Sequence, residues 1–269
     1  MKAVVLIDNI SKNELMAEWG LSIYMEYGDR KVLLDCGSSE NFSKNADMLG
    51  IDLSAVSFMV LSHAHYDHAD GMDTFLEKNK EAYCYICKAS EENCYSDKEE
   101  GMRYIGIKHG ILGHYHDRLK LVTGKLEITP GIWVLPHGRD LSYMGEHAGQ
   151  YTMVDGKFVP DAYRHEQSLI FETEKGLVVF NSCSHGGVMN ILEEVKEAFP
   201  GKTIYAMIGG FHLFCSSRQE IDKLGEALKD TGVKLVITGH CTGDEGFEIL
   251  KEKLKGNIEQ MYCGMSIDL

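Results

Sequence analysis

No apolar run in this 269-residue chain approaches the roughly 20 residues that a membrane-spanning helix needs. The N-terminal stretch "MKAVVLIDN" is too short for the apolar region of a signal peptide and is broken by Asp8, so it reads as a first strand. Positive charge is scarce as well: 27 Lys and Arg stand against 41 Asp and Glu, for a formal net charge of -14. A track along a phosphate backbone needs clustered cations. The balance therefore argues against nucleic acid and for a small-molecule substrate, with a local basic pocket still open. Neither a Gly-x-Ser-x-Gly nucleophile turn nor a phosphate-cradling glycine loop occurs, which leaves serine hydrolysis and nucleotide-triphosphate chemistry without support. Internal repeats and low-complexity segments are also missing. Eight cysteines are present, but a chain this long without a secretion signal is expected to keep them reduced, in the cytoplasm. Self-association into a homo-oligomer stays open.

The organisation read from the chain is strand-rich at first and alternating later. "LSIYMEYGDRKVLLDCG" reads as two strands, about 21–27 and 31–35, joined through Gly28-Asp29. A helix is expected over about 40–49, a buried strand at "FMVLS" (58–62), a helix after Gly71, and a strand at "YCYICK" (83–88). On that strand Cys84 and Cys87 point to opposite faces, which opposes a Cys-x-x-Cys metal or redox pair. Residues 89–120 lack periodicity and read as an inserted, lid-like segment over the surface. Its Tyr95, Arg103, Tyr104, Lys108 and Tyr115 are candidates for substrate selection, as is the loop from Arg139 to Tyr151. Past 119 strands resume, and from 168 onward strands and helices alternate. Two mixed halves with strands inside and helices outside predict an α/β, four-layer αββα sandwich in a single domain over 1–269.

The chemistry is concentrated in "LSHAHYDHADG" (61–71), where His63-x-His65-x-Asp67-His68 follows the strand at 58–62. If the strand ends near Ser62, the motif occupies a loop, and donors on such a turn converge from several directions. Nitrogen and carboxylate donors together suit a catalytic ion, zinc, iron or manganese, rather than a sulfur-rich structural zinc site. Three further histidines end buried strands beside glycine: His185 in "FNSCSHGG", His212 in "IGGFHL" and His240 in "ITGHCTG". Strand ends are where α/β architectures gather their ligands. His109, His114 and His116 read as lid surface, and His137 and His147 have no interpretable context.

With these residues in view, the chain resembles the metallo-β-lactamase-fold superfamily over essentially its whole length. "SCSHGGVMNI", "IGGFHL" and "TGHCTG" resemble one subgroup more closely, the 7,8-dihydropterin-6-methyl-4-(β-D-ribofuranosyl)-aminobenzene-5'-phosphate synthases. The resemblance implies a metal-dependent hydrolase acting on a small phosphorylated or ester-type substrate; a synthase-type transferase, a phosphodiesterase and a non-catalytic binding protein are the alternatives. It implies one or two divalent transition-metal ions, with His63, His65 and His185 on one and Asp67, His68 and His240 on the other. Asp67 would also act as the catalytic base. His212 would hydrogen-bond the substrate, or support the site structurally. Superfamily members often place a bridging aspartate where this chain has Cys183; a packing role for the thiol is favoured there, with metal binding as the alternative. His165, in "YRHEQSL", competes with His185 for the first ion, and the "SCSH" resemblance favours His185.

Overall fold

A computed structural model describes residues 1–139, 141 and 148–269. Asp140 and residues 142–147, and with them His147 and much of the loop from Arg139 to Tyr151, lie outside the described residues.

Two seven-stranded sheets form the centre. The first runs, in spatial order, Ser266–Asp268, Lys2–Ile7, Ser22–Tyr27, Arg30–Leu34, Phe58–Val60, Tyr83–Cys87 and Leu119–Val122. The second runs Ile258–Gln260, Leu235–Thr238, Ile204–Gly209, Gly176–Phe180, Gln167–Thr173, Ile132–Pro136 and Leu126–Thr129. Alternation along each strand sorts the side chains into layers. In Lys2–Ile7, Ala3 and Val5 face the second sheet and meet Phe171, Val178 and Ile208, whereas Val4 and Leu6 face outward. The outward side is covered by the helices Asn41–Met48 and Met72–Lys78 through Phe42, Ala46, Phe75 and Leu76. On the far side, Val188–Ala198, Arg218–Asp230 and Gly243–Leu254 cover the second sheet with Ile191, Leu192, Ile221, Leu228 and Leu250. The layering is the expected αββα sandwich. No helix among the described residues is long and apolar enough to cross a membrane.

Two departures from the sequence reading matter for the site. Asp67 and His68 do not lie in an open loop but on a single helical turn, Tyr66–Ala69, with His65 extended immediately before it. The segment 89–120, read as a lid-like insert, and the chain from the end of the loop Arg139 to Tyr151 onward each supply strands to a third sheet: Lys157–Pro160, Gln150–Val154, Tyr95–Lys98 and Gly101–Tyr104. These short strands are half polar, and their pairing is between distant segments, so no local periodicity announces them. Part of the inserted segment is also core, since Ile105, Ile107 and Ile111 are buried with Met72 and Phe75.

Close backbone packing under the strand ends gives a direct test of this fold. Gly209 ends its strand at φ +137°, and a Cβ there would lie 1.9 Å from the Asn181 carbonyl oxygen. Gly113 faces open space in the short helix Ile111–His114. Gly209→Ala is expected to lower the unfolding free energy by roughly 3 kcal/mol, whereas Gly113→Ala leaves it unchanged or raises it by up to about 1 kcal/mol. Urea titration of the two variants beside the parent checks both.

Candidate metal centre

Strand polarity explains why distant histidines meet. In the first sheet Arg30–Leu34, Phe58–Val60, Tyr83–Cys87 and Leu119–Val122 are parallel, and in the second Gly176–Phe180, Ile204–Gly209, Leu235–Thr238 and Ile258–Gln260 are parallel. Their C-terminal ends deliver His63, His185, His212 and His240 to one place. The ring centroids of His63 and His185 are 4.9 Å apart, those of His68 and His240 4.9 Å, and those of His185 and His212 4.3 Å. The turns that do this are strained: Asp35, Ser184, His212 and His240 all have left-handed backbones, at φ +57°, +52°, +52° and +47°. Non-glycine residues hold that conformation only where the surroundings impose it, and such residues gather at functional sites.

Hydrogen bonding fixes which ring nitrogen each histidine presents. Asp35 is fully buried; one of its carboxylate oxygens accepts from the Ser62 backbone N–H at 2.7 Å, and the other from the Ser62 hydroxyl at 2.6 Å and His68 Nδ1 at 2.7 Å. The Ser62 hydroxyl, its proton committed to Asp35, accepts in turn from His63 Nδ1 at 2.8 Å. His240 Nδ1 donates to Asn9 Oδ1 at 3.0 Å. With Nδ1 protonated in all three rings, the Nε2 atoms are the ones directed inward. His63 Nε2 lies 3.3 Å from His185 Nε2, and His68 Nε2 lies 3.2 Å from His240 Nε2. Donors about 2.0–2.1 Å from one tetrahedral ion stand about 3.3 Å apart. Each pair of nitrogens therefore has the spacing that two donors to one ion would have.

His65 lies beside the first pair, 4.7 Å from the rings of both His63 and His185, and its buried Nε2 has no hydrogen-bond partner. Burial, helped by His165, pushes its imidazole down to about 3, and burial also holds His63 and His185 well below the ordinary histidine value. Neutral rings are the form that binds a metal. Asp67 Oδ2 lies 3.5 Å from His240 Nε2 and 3.8 Å from His68 Nε2. Burial raises the Asp67 pKa, but His68 and His240 outweigh it and keep the carboxylate ionised. Burial pulls His240 down, yet Cys241, Asp67 and Asp8 hold it up at about 9, so a cation entering here takes the place of a proton.

Cys183, read as a packing residue, lies between the two pairs. Its thiol sulfur is 3.2 Å from His68 Nε2, and it falls within 4.8 Å of the donor atoms of both His63 with His185 and His68 with His240. A strand-end thiol carries no sequence signal that separates these roles; the position is visible only in three dimensions. His165 falls in another buried group, with His65, Cys94 and Asp161, whose donor atoms also lie within 4.8 Å of one another; its Nδ1 accepts from the Ala64 N–H at 3.2 Å and its Nε2 lies 3.1 Å from Asp161, with Cys94 beyond at 3.7 Å. It braces the backbone between His63 and His65. His137 is buried between Glu194 and Ser168, away from the cluster, and His109 stacks on Tyr104. Sequence reasoning missed Asp8, Asn9, Asp35, Ser62 and Glu166. Glu166 accepts from the backbone N–H groups of His185 and Gly186 at 2.9 and 2.8 Å, and Asp8 from that of His240 at 3.0 Å. The apolar strands ending in acid, "VVLID" and "VLLDCG", were the available sign.

The histidines form the floor of a cavity, and the third sheet supplies one wall. Register places Ser96 opposite both Arg103 and Gln150, with Lys98 two residues along the same strand, so these four share one face of that sheet. All four line the cavity. Tyr95 and Tyr104 occupy the other face, 5.5 Å apart, and Lys108 pairs with Asp73 at 2.8 Å. Of the expected selection residues in the insert, Arg103 is the one that faces the cavity; Lys98 joins it and was not foreseen.

Residues 20–240 match the sequence profile of the metallo-beta-lactamase superfamily. The chain is 28% identical, over 93% of its own length and 90% of the relative's, to a 7,8-dihydropterin-6-methyl-4-(beta-D-ribofuranosyl)-aminobenzene-5'-phosphate synthase from Methanocaldococcus jannaschii. It superposes with a TM-score of 0.86 and 32% identity on the crystal structure of a metal-dependent hydrolase of the beta-lactamase superfamily, covering 100% of this chain and 99% of that one. Zinc-bound PqqB from Methylobacterium extorquens shares the fold, at a TM-score of 0.60 and 12% identity over 100% of both chains. With the profile spanning most of its length and the fold shared throughout, this chain belongs to the metallo-beta-lactamase superfamily.

Proposed function

We propose that this protein is a metal-dependent hydrolase that acts on a small anionic ester, phosphorylated or carboxylic, at two divalent transition-metal ions. The observation that carries the reading is the facing of two Nε2 pairs, 3.2 and 3.3 Å apart, beneath one cavity, with His63, His68 and His240 each held by a bond at Nδ1. His63, His65 and His185 would hold one ion and Asp67, His68 and His240 the other, with the Cys183 thiol within reach of both. Zinc suits nitrogen, oxygen and sulfur donors together. Ions bound there would supply Lewis acidity and bring the pKa of water to near neutrality.

The remaining roles belong to the chain. Asp67, ionised and open to the cavity, orients the attacking water and takes its proton. His212, packed against His185 with a buried and unpartnered Nδ1, is placed to donate to the oxygen that gains negative charge. The Lys98 and Arg103 wall attracts the anion in a protein that is otherwise acidic. The free state of all eight cysteines fits a reducing compartment, the cytoplasm. The synthase named for the archaeal relative is the second reading, favoured by 28% identity over 93% of this chain. Turnover of generic phosphate and thioester probes separates the two: metal bound without hydrolysis favours the synthase or a binding protein.

Metal analysis of protein purified without added metal is expected to give one to two equivalents of zinc, iron or manganese, and His63→Ala with His65→Ala to empty the first position. A double variant with the full metal complement overturns the ligand assignment. Asp67→Asn is expected to leave the melting temperature near that of the parent and to lower kcat at saturating metal by at least about 100-fold. A folded, metal-loaded variant with parental kcat removes Asp67 from the mechanism.

A further inference from the structure

Two large apolar side chains at the mouth of the cavity are left in water. Trp19 is 44% and Phe214 50% exposed, and their rings meet edge to face at 5.5 Å. Single exposed apolar residues are ordinary; a touching aromatic pair lining the same cavity as the histidine cluster is not. Nor is it loose. Trp19 lies 5.2 Å from the His240 ring and Phe214 4.8 Å from the His212 ring, and the Phe214 and Leu213 N–H groups donate to the Cys241 carbonyl at 3.3 and 2.9 Å. The pair is fixed to the two strand ends that carry His212 and His240, with its free faces unsatisfied.

The wall from the third sheet offers the complementary feature. Lys98 and Arg103 line the cavity from one sheet face, both exposed, and neither has an ion-pair partner among the described residues. Asp67 is the one carboxylate in the described lining. The cavity, of ≈ 220 Å³, thus holds an aromatic platform and an unneutralised pair of cations around a histidine floor.

From this arrangement we infer that the ligand is an aryl anion, a planar ring carrying a phosphate or carboxylate, its ring on Trp19 and Phe214 and its charge at Lys98 and Arg103. The inference rests on the site proposed above but is tested by binding, so that it stands or falls whether or not the centre hydrolyses anything. Ring stacking adds to affinity beyond buried area, and Arg adds a paired, planar contact to an oxyanion.

Isothermal titration of the metal-loaded protein provides the test, with 1-naphthylmethylphosphonate and methylphosphonate standing in for the aryl phosphate and methyl phosphate so that nothing is hydrolysed, and with neutral 1-naphthalenemethanol. The aryl phosphonate is expected to bind at least about tenfold more tightly than methylphosphonate. Phe214→Ala and Trp19→Ala should erase that preference and leave methylphosphonate affinity in place, with metal content measured alongside because Trp19 touches His240. Lys98→Ala with Arg103→Ala, both exposed and so safe for folding, should weaken both phosphonates by a similar factor and leave the neutral alcohol unchanged. Equal binding of the two phosphonates to the parent, or an aryl preference that survives the loss of both rings, overturns the aromatic platform. Unaltered phosphonate affinity in the Lys98 and Arg103 double variant overturns the cationic wall.

Discussion

Asp35 ends the strand Arg30–Leu34 with a left-handed backbone and no solvent exposure, and its carboxylate accepts three hydrogen bonds from Ser62 and His68. A buried charge is costly unless fully paired, and here each bond that satisfies it also does something for the centre. One holds the backbone at the start of the histidine turn. A second reaches His63 through the Ser62 hydroxyl, and a third orients His68 directly. Two rings on different groups thereby take their tautomer from a single carboxylate. Outer hydrogen bonds of this kind set both the direction and the basicity of imidazole donors, so one ring of each Nε2 pair, His63 and His68, takes its direction from Asp35, while His240 takes its own from Asn9.

The same device recurs at each junction. Asp8 ends the first strand and accepts from the N–H of His240, across more than two hundred residues of chain and from one sheet to the other. Burial raises its pKa to about 6, opposed chiefly by His240. Glu166 does the equivalent for the turn that carries His185, and His165, one residue before it, braces Ala64. The positive φ values at Ser184, His212 and His240 are affordable because these acids, together with the close approach at Gly209, hold the turns from behind. Rigid supports are what a site of fixed donor separation requires.

Much of this was open to reading from residue order. Apolar runs bounded by glycine gave the layers and the strand-end histidines, and the superfamily came from the resemblance that the His-x-His-x-Asp-His motif and those strand ends carry. What escaped reading shares a physical cause. Asp35, Asp8 and Glu166 look like ordinary acids, and only burial, which residue order does not reveal, distinguishes them. Cys183 looks like any small strand-end residue until the opposing sheet brings His68 to it. The third sheet escaped because Tyr95–Lys98 and Gln150–Val154 are short and partly polar, and they pair across some fifty residues. Sheet partners chosen at that range leave no trace in local periodicity.

That third sheet separates two duties which many sites entangle. None of the six residues assigned to the ions lies on it, whereas Ser96, Lys98, Arg103 and Gln150 all do. On the reading proposed above, substitutions in these two segments would alter the contact with the ligand's charge and leave the histidine floor, with the Trp19 and Phe214 pair fixed to it, in place.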